Sequence, residues 1–416
     1  MKRKALALTL IIALVISAVG GVWFVNTAAV LKTITVPDDY PTIQAAIDNA
    51  NAGDTVFVKK GTYYHNGPVL GQRIDGITID KPISLIGEDS KTTILKPNYT
   101  SINRLRSGIH VTADNVKISG FTIDGTVENV TYKNRLINFT GYQQRGILVL
   151  MADNGTHIPY GCKIIGNIFT GHEDNSIEDH GISSFISENT MTESISLVWS
   201  SDTVVSGNNI ELNGDIRIEL YSCVNVRIKQ NNITGGGISL NGNGPIYIYE
   251  NNITDSAFGI EFWNSNNCFV YNNNIMRNKI GIFLPNQLRT THVGTLGAGN
   301  RVYYNNLMNN DKNALVENAY PHPSALNETN VIGNGTDVVS WDNGWVGNYW
   351  SDYNGQGAYV IDENNIDRHP LTQQVDISTP APNPLTIAVI ATVSAVVIGI
   401  VLLVYFKKRR HQAESH

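Results

Sequence analysis

Apolar and polar residues alternate along short runs of this chain. In GIEFW, Ile260 and Phe262 alternate with Glu261 and Trp263; in CFVYN, Cys268 and Val270 alternate with Phe269 and Tyr271. A period of two marks a half-buried strand. The runs recur. Aligned on the apolar residue after an Asn pair, Ile210, Ile233, Ile253 and Ile275 follow one another at steps of 23, 20 and 22. Fifteen residues before each stands another isoleucine, at Ile195, Ile218, Ile238 and Ile260, and Ile282 continues that column. Leu307 closes its coil after an insertion near 288–300, and Ile168 extends the first column upstream if one residue is deleted. Such a period means a solenoid. Leucine-rich repeats share it but are rich in Leu and usually hold a helix. Short strands separated by Asn and Gly predict an all-β chain instead, a parallel β-helix.

The Asn pairs then fall at one corner of successive coils. Asn tolerates a tight bend and can pass side-chain hydrogen bonds along the stack. With 48 Asn against 30 Lys and Arg, the chain is built for such corners. The strands leave both ends of the stack open, and open edges need covering. In ITVPDDYPTIQAAIDNANAGDTVFV, Pro41 suits a first helical turn. Ile43, Ala46, Ile47 and Ala50 then form one apolar face, so a short capping helix is expected before strands that start at Thr55.

The two ends of the chain point to a membrane. Lys2, Arg3 and Lys4 precede an apolar run, and small residues follow near Ala28. That reads as a signal peptide over 1–28, or an uncleaved anchor. Residues 385–406 form a second apolar run, at about 1.5 Å per residue long enough to span a bilayer. Lys407, Lys408, Arg409 and Arg410 follow, which predicts a cytoplasmic tail over 407–416 and an extracellular body. The expected organisation is a β-helix over 33–371, capped by 33–60 and 341–371, then a Pro-containing linker over 372–384 and a transmembrane helix. Asn98, Asn129, Asn138, Asn154, Asn327 and Asn334 stand in N-glycosylation sequons; those at Asn232 and Asn252 belong to the repeat. A formal charge of −6 with 16% charged residues gives no basic stripe and argues against a nucleic-acid partner.

The phrase VPDDYPTIQAAID, with AGDTVFVKKGTYY and KPISLIGE after it, resembles the N-terminal part of NosD-like right-handed β-helix proteins of the pectate-lyase superfold. WDNGWVGNYWSDYNGQGAYVIDENNIDRHPL looks like the C-terminal segment of archaeal surface proteins of that group. The resemblance covers nearly all of the body and implies a right-handed coil. It offers three roles: copper delivery, carbohydrate processing, and surface structure or adhesion with polysaccharide or envelope-protein partners. Relatives often carry an acidic Gly-rich stretch after YWSDY; only NGQG stands here, which leaves a calcium site there in doubt. DHGIS and RIK look like pieces of polygalacturonase motifs, without the paired aspartates expected upstream.

The residues narrow these roles. Copper wants gathered soft or imidazole ligands. The five Met are scattered, and Cys162, Cys223 and Cys268 read as buried thiols in columns too far apart to bridge. The local candidate for a divalent metal is HEDNSIEDH, with His172, Asp174 and His180, beside the plainer reading of a solvated acidic loop between coils. Carbohydrate chemistry needs carboxylates on one outer face. Glu219 and Glu261 share an outward column with Ser239 between them, and two coils span about 9 to 10 Å, near the limit for an inverting glycosidase pair. Tyr221, Asn241 and Trp263 form the column beside them. Tyr249, Tyr271 and Tyr303 form an aromatic column on another strand, next to Arg227, Tyr247, Phe269 and Arg301. Those rings suit a glycan, a partner protein, or plain packing within the sheet. A binding or structural role is the expectation, with polysaccharide cleavage and copper handling as alternatives.

Overall fold

The computed structural model describes residues 30–66, 76–98, 107–132, 135–151, 155, 157–211, 218–242, 244–263, 265–285, 299–316 and 339–378, with the backbone alone for 66, 97–98 and 127–144. The regions read as signal peptide and transmembrane helix lie outside these residues, and so do the side chains of Asn98, Asn129, Asn138, Asn154, Asn327 and Asn334. Among the described residues no helix is long and apolar enough to cross a membrane.

Among the described residues three long sheets carry the fold, two of eleven parallel strands and one of ten, which Thr126–Tyr132 joins as an antiparallel eleventh. Sheet 1 runs from Thr33–Val36 to Arg301–Tyr303, sheet 2 from Ile77–Ile79 to Lys312–Val316, and sheet 3 from Gly61–Asn66 to Tyr349–Trp350. Each coil of the repeat contributes one strand to each sheet, and coil pairs with coil in parallel. The predicted inner columns are present: Ile210, Ile233, Ile253, Ile275 and Leu307 pair in register in sheet 3. Ile195, Ile218, Ile238, Ile260 and Ile282 do so in sheet 2. Every one of these is at most 1% exposed, and they belong to one continuous apolar core. Upstream, Phe169 and not Ile168 occupies the sheet 3 column, pairing with Met191 and through it with Ile210. The larger ring is the inward residue; Ile168 sits beside it facing out.

The Asn pairs divide their labour. The first Asn of each pair, joined by the single Asn167, Asn189 and Asn348, belongs to a buried ladder that includes Asn208, Asn231, Asn251, Asn273 and Asn305, none above 1% exposed. From Asn189 onward each Nδ2 donates to the next Oδ1 at 2.9–3.0 Å. The bend itself is taken one residue earlier, by Gln230, Glu250, Asn272 and Tyr304, all near φ +55°. The second Asn stands in the strand facing out, as Asn232 does where it bonds Asn209 at 2.8 Å.

Both ends differ in detail from the expectation. The first strand is Thr33–Val36, which pairs with Thr55–Val58, so the stack begins before the helix. The helix is Ile43–Asp48, and it buries Ile43, Ala46 and Ile47. Its N-cap is Thr42, whose hydroxyl accepts from the Ala45 N–H, leaving Pro41 outside the first turn. At the other end Trp341 and Trp350 are buried with ring centroids 5.8 Å apart, and Tyr359 stacks on Trp350 at 4.1 Å. Asp367 accepts from Trp350 Nε1 at 2.8 Å and from the Asn348 N–H at 2.7 Å. The Asn ladder therefore terminates on a carboxylate. Gly347 is required beside it, since a Cβ there would lie 1.8 Å from Asp367 Oδ1. Past Leu371 the chain does not leave the stack at once: the Val375 N–H donates to Asn306 at 2.7 Å, and Asn272 donates to the Ile377 carbonyl at 3.3 Å. Val375 and Ile377, in the segment read as a linker, thus bond to the coils.

Candidate functional site

Register brings the predicted outer columns of sheet 2 together. Glu219, Ser239 and Glu261 are in line, and Tyr221, Asn241 and Trp263 are in line beside them. Upstream, Glu178 pairs with Ser196, which pairs with Glu219. His180 follows Glu178 by two residues, as Tyr221 follows Glu219 and Trp263 follows Glu261. In each case the ring meets the carboxylate: His180 Nε2 lies 2.8 Å from Glu178, and Tyr221 Oη donates to Glu219 at 3.0 Å. Trp263 Nε1 donates to Glu261 at 3.2 Å. Adjacent outward residues on a strand point the same way, so each carboxylate holds its ring by the polar edge. Trp199, 68% exposed, meets the His180 ring edge-on at 5.9 Å.

The carboxylates of this face are not freely exposed. Glu261 is only 3% exposed and also accepts from Ser239 at 3.4 Å. Phe283, its neighbour on the next coil, is 7% exposed. Glu178 is ion-paired with Arg145, which reaches Asp174 at 3.9 Å. Burial works to raise the Glu178 carboxyl, but the bonds from His180 and Arg145 and the guanidinium charge outweigh it and hold it below the usual carboxylate range.

HEDNSIEDH is a strand of sheet 2, His172–Asp179, and not a solvated loop. An irregularity between Asn175 and Ile177 shifts its register and sends its polar residues to different places. His172 is buried, 3.4 Å from Glu193. Asp174 reaches Arg145, and His180 faces out beside Glu178. The three metal candidates do not converge. Asp179 points into the core, fully buried, in line with Val149 and Leu197. It accepts from Ser184 Oγ at 3.0 Å and from the Gly181 N–H at 3.1 Å, and burial pushes its carboxyl up to about 6.

The aromatic columns of sheet 1 form as expected. Tyr249, Tyr271 and Tyr303 stack at 5.1 and 5.5 Å, and Tyr247 stacks on Phe269 at 5.2 Å. Arg227 lies over Tyr247, and Arg301 over Phe269. The rings spend their faces on one another.

Residues that the sequence reading passed over, Glu178, Arg145 and Trp199, complete the sheet 2 face. EDH at 178–180 carries the same Glu-x-ring spacing as ELY and EFW, a signal that could have found Glu178.

Three parallel sheets wound around one core, with a buried Asn ladder at one corner, define a parallel β-helix protein. A family model described as Periplasmic copper-binding protein (NosD) matches residues 143–355, just over half of the chain, and the chain belongs to that family. No curated protein matches it. Among solved structures the A-module of mannuronan C-5 epimerase AlgE6 from Azotobacter vinelandii is similar, at 18% identity over 66% of this chain and 73% of that one, with a TM-score of 0.53. An alginate lyase from Paenibacillus sp. str. FPU-7 matches at 14% identity over 69% of this chain and 98% of its own, with a TM-score of 0.49. A polygalacturonase from Erwinia carotovora ssp. carotovora has the same identity, the same coverage of this chain and the same TM-score, over 92% of its own length. The epimerase likeness is one of fold.

The family description raises copper, and the described residues do not fit it. Cys162, Cys223 and Cys268 are buried, and burial pushes each thiol up to about 12, away from the thiolate that binds metal. Among the described residues no three His, Cys, Asp or Glu side chains are placed to hold a metal ion. Met276 and Met308 do neighbour each other in sheet 3, two thioethers in register.

Proposed function

We propose that this protein binds glycan on the outer face of sheet 2, as a surface-anchored β-helix. The observation that carries the reading is the repeated pairing of a carboxylate with a ring two residues on, at Glu219 with Tyr221 and at Glu261 with Trp263. A ring held by its edge presents its face, and apolar sugar faces stack on such surfaces while hydroxyls reach neighbouring acceptors. The name of the mannuronan epimerase of similar fold accords with a polysaccharide ligand. An anchor at 385–406, as expected from the apolar run and its basic tail, would hold the β-helix outside the cell and make envelope polysaccharide the nearest ligand.

Cleavage is the second reading. Glu219 and Glu261 stand two coils apart, about 9 to 10 Å, at the upper limit for an inverting pair. Against it, Glu261 is almost fully buried and its carboxylate is engaged by Trp263 and Ser239. One experiment separates the two. The purified full-length chain is incubated with neutral, amino and uronate polysaccharides, and both retention and new reducing ends are measured. Retention without new ends is the expected result. New ends that vanish in Glu219→Gln would make the protein a hydrolase or lyase, and absence of both would overturn the glycan reading.

A further inference from the structure

The outer face of sheet 1 carries no acid. Its two outward columns run in register from Thr33 and Thr35 in the first strand to Arg301 and Tyr303 in the last. Lys117, Lys163, Arg227 and Arg301 stand in one column and Lys229 in the other, and neither column holds an Asp or a Glu. The chain as a whole has a formal charge of −6, so register gathers on this face cations that the sequence scatters. Asp202, Glu188 and Glu250 take left-handed bends at the corners that bound the sheet, not on its face. Among the described residues none of the five cations is ion-paired, and Arg227 and Arg301 lie over rings of the same face.

The charges are interleaved with apolar side chains. Ile86, Ile165, Phe185 and Val204 point outward in the same columns and are only half-buried. A dissolved polyanion would be served by the charges alone. Cations set among apolar groups and tyrosine edges fit a lipid surface, with anionic headgroups above and acyl chains below. The eleven strands give this face a length of about 50 Å.

The chain also ends its described course beside this face. Asn272 follows Tyr271 at the corner after sheet 1 and donates to the Ile377 carbonyl, and Ser378 is the last described residue. The apolar run expected to cross a membrane starts at 385, seven residues on, a span of at most about 25 Å. A bilayer entered there would lie within reach of the side of the stack.

We infer that the outer face of sheet 1 is a docking surface for an anionic lipid bilayer. Lys117, Lys163, Arg227, Lys229 and Arg301 meet the headgroup phosphates, and the edges of Tyr249, Tyr271 and Tyr303 meet the interface. The stacked faces of those rings stay structural. Sheet 2 forms another side of the coil and stays clear for its own ligand. The inference stands on charge and on chain length, and it does not rest on the glycan reading.

The test uses the full-length chain with vesicles of phosphatidylcholine alone, or of phosphatidylcholine and phosphatidylglycerol in equal parts, each with a trace of lipid bearing a nitroxide headgroup. Cys162, Cys223 and Cys268 are buried, so one introduced thiol takes the label. A fluorophore is placed on Ser119→Cys in sheet 1 or on Asn241→Cys in sheet 2. The expected result is quenching of the sheet 1 label in the anionic vesicles alone, and no quenching of the sheet 2 label. Molar salt, with a Debye length of about 3 Å, should abolish it. Arg227→Gln, Lys229→Gln and Arg301→Gln together should weaken the docking about a hundredfold, read as loss of the quenching. The salt arm on the parent decides the matter if that triple variant does not fold. Equal quenching in the neutral vesicles, or quenching that survives molar salt, overturns the inference. Quenching of the sheet 2 label instead overturns the choice of face. A sheet 1 label that responds to dissolved polygalacturonate and not to vesicles makes the face a polymer site and overturns the lipid inference.

Discussion

Sheet 1 and sheet 2 both carry aromatic rings on their outer faces, and they use them differently. On sheet 1 the rings occupy consecutive coils. Tyr271 is covered on one side by Tyr249 and on the other by Tyr303, at interplanar angles of 2° and 12°. At the spacing of adjacent strands rings fall naturally into contact. On sheet 2 the column holding Tyr221 and Trp263 has Asn241 between them, so those two rings cannot stack on each other. Each is fixed by its edge to a carboxylate instead. What repeats in every coil holds the coils together; what skips a coil leaves surface for something else. The following substitutions probe that distinction.

The strongest effect belongs to the feature that never skips. Asn251 accepts from the Asn231 backbone N–H at 3.0 Å and from Asn231 Nδ2 at 2.9 Å, and it donates to the Ile228 and Tyr249 carbonyls and to Asn273, each at 2.9 Å. Removing it strands several buried polar groups, each worth about 1–3 kcal/mol. Asn251→Ala should lower unfolding free energy by roughly 3–5 kcal/mol in urea titration, where partial relaxation limits the sum. Asn232→Ala, one residue on and exposed, should cost less than about 1 kcal/mol. Similar losses for the two would remove the distinction between buried ladder and outward strand.

Asp179 tests the inward side of the sheet 2 strand. Its folded carboxyl lies near 6, above the usual value of 3.8, because burial disfavours the charge. A raised folded value means that the native state binds the proton more tightly. Stability is then fullest below about pH 4 and falls as pH rises through about 6, by roughly 3 kcal/mol in all. Asp179→Asn keeps the shape and removes the titration. The variant should match the parent near pH 4 and exceed it above pH 7, by several degrees in melting temperature. A parent whose stability stays flat between pH 4 and 7 would refute the assignment.

The columns were legible because a coil repeats its pattern. Ile233, Ile253, Glu219, Trp263 and the Tyr249 column all stand where a count of twos and twenties puts them. The reading failed where one residue breaks the count. Ile168 stood next to the larger Phe169 that fills the core. The bulge after Asn175 scattered a string that looks like one acidic cluster. Thr33–Val36 lies before the helix, so a strand searched for after it is missed. The burial of Glu261 was illegible for a different reason. Alternation tells which way a side chain points but not how closely its neighbours pack: Trp263 and Ser239 bond the Glu261 carboxylate, and Phe283 pairs with it on the next coil. The ladder role of the first Asn and the bend before it are likewise separated by backbone dihedrals, not by composition.

The smallest effect bears most directly on the comparison of the two sheets. Tyr271→Ala removes a ring stacked on both faces, where each stacked pair is worth about 0.5–1.5 kcal/mol beyond the area it buries. It should lower stability by roughly 2–3 kcal/mol and leave glycan retention unchanged. Trp263→Ala should do the reverse. Its ring is partly exposed and tied through one hydrogen bond to Glu261, so its removal should cost about 1 kcal/mol or less of stability while retention falls. The two variants are measured side by side, by chemical denaturation and by retention on the polysaccharide that the parent binds. If Tyr271→Ala loses retention and Trp263→Ala does not, the binding face is sheet 1, and stacked rings on consecutive coils serve the ligand through their edges. If each variant moves only its own measurement, contact between rings marks the structural face and the skipped coil marks the binding one.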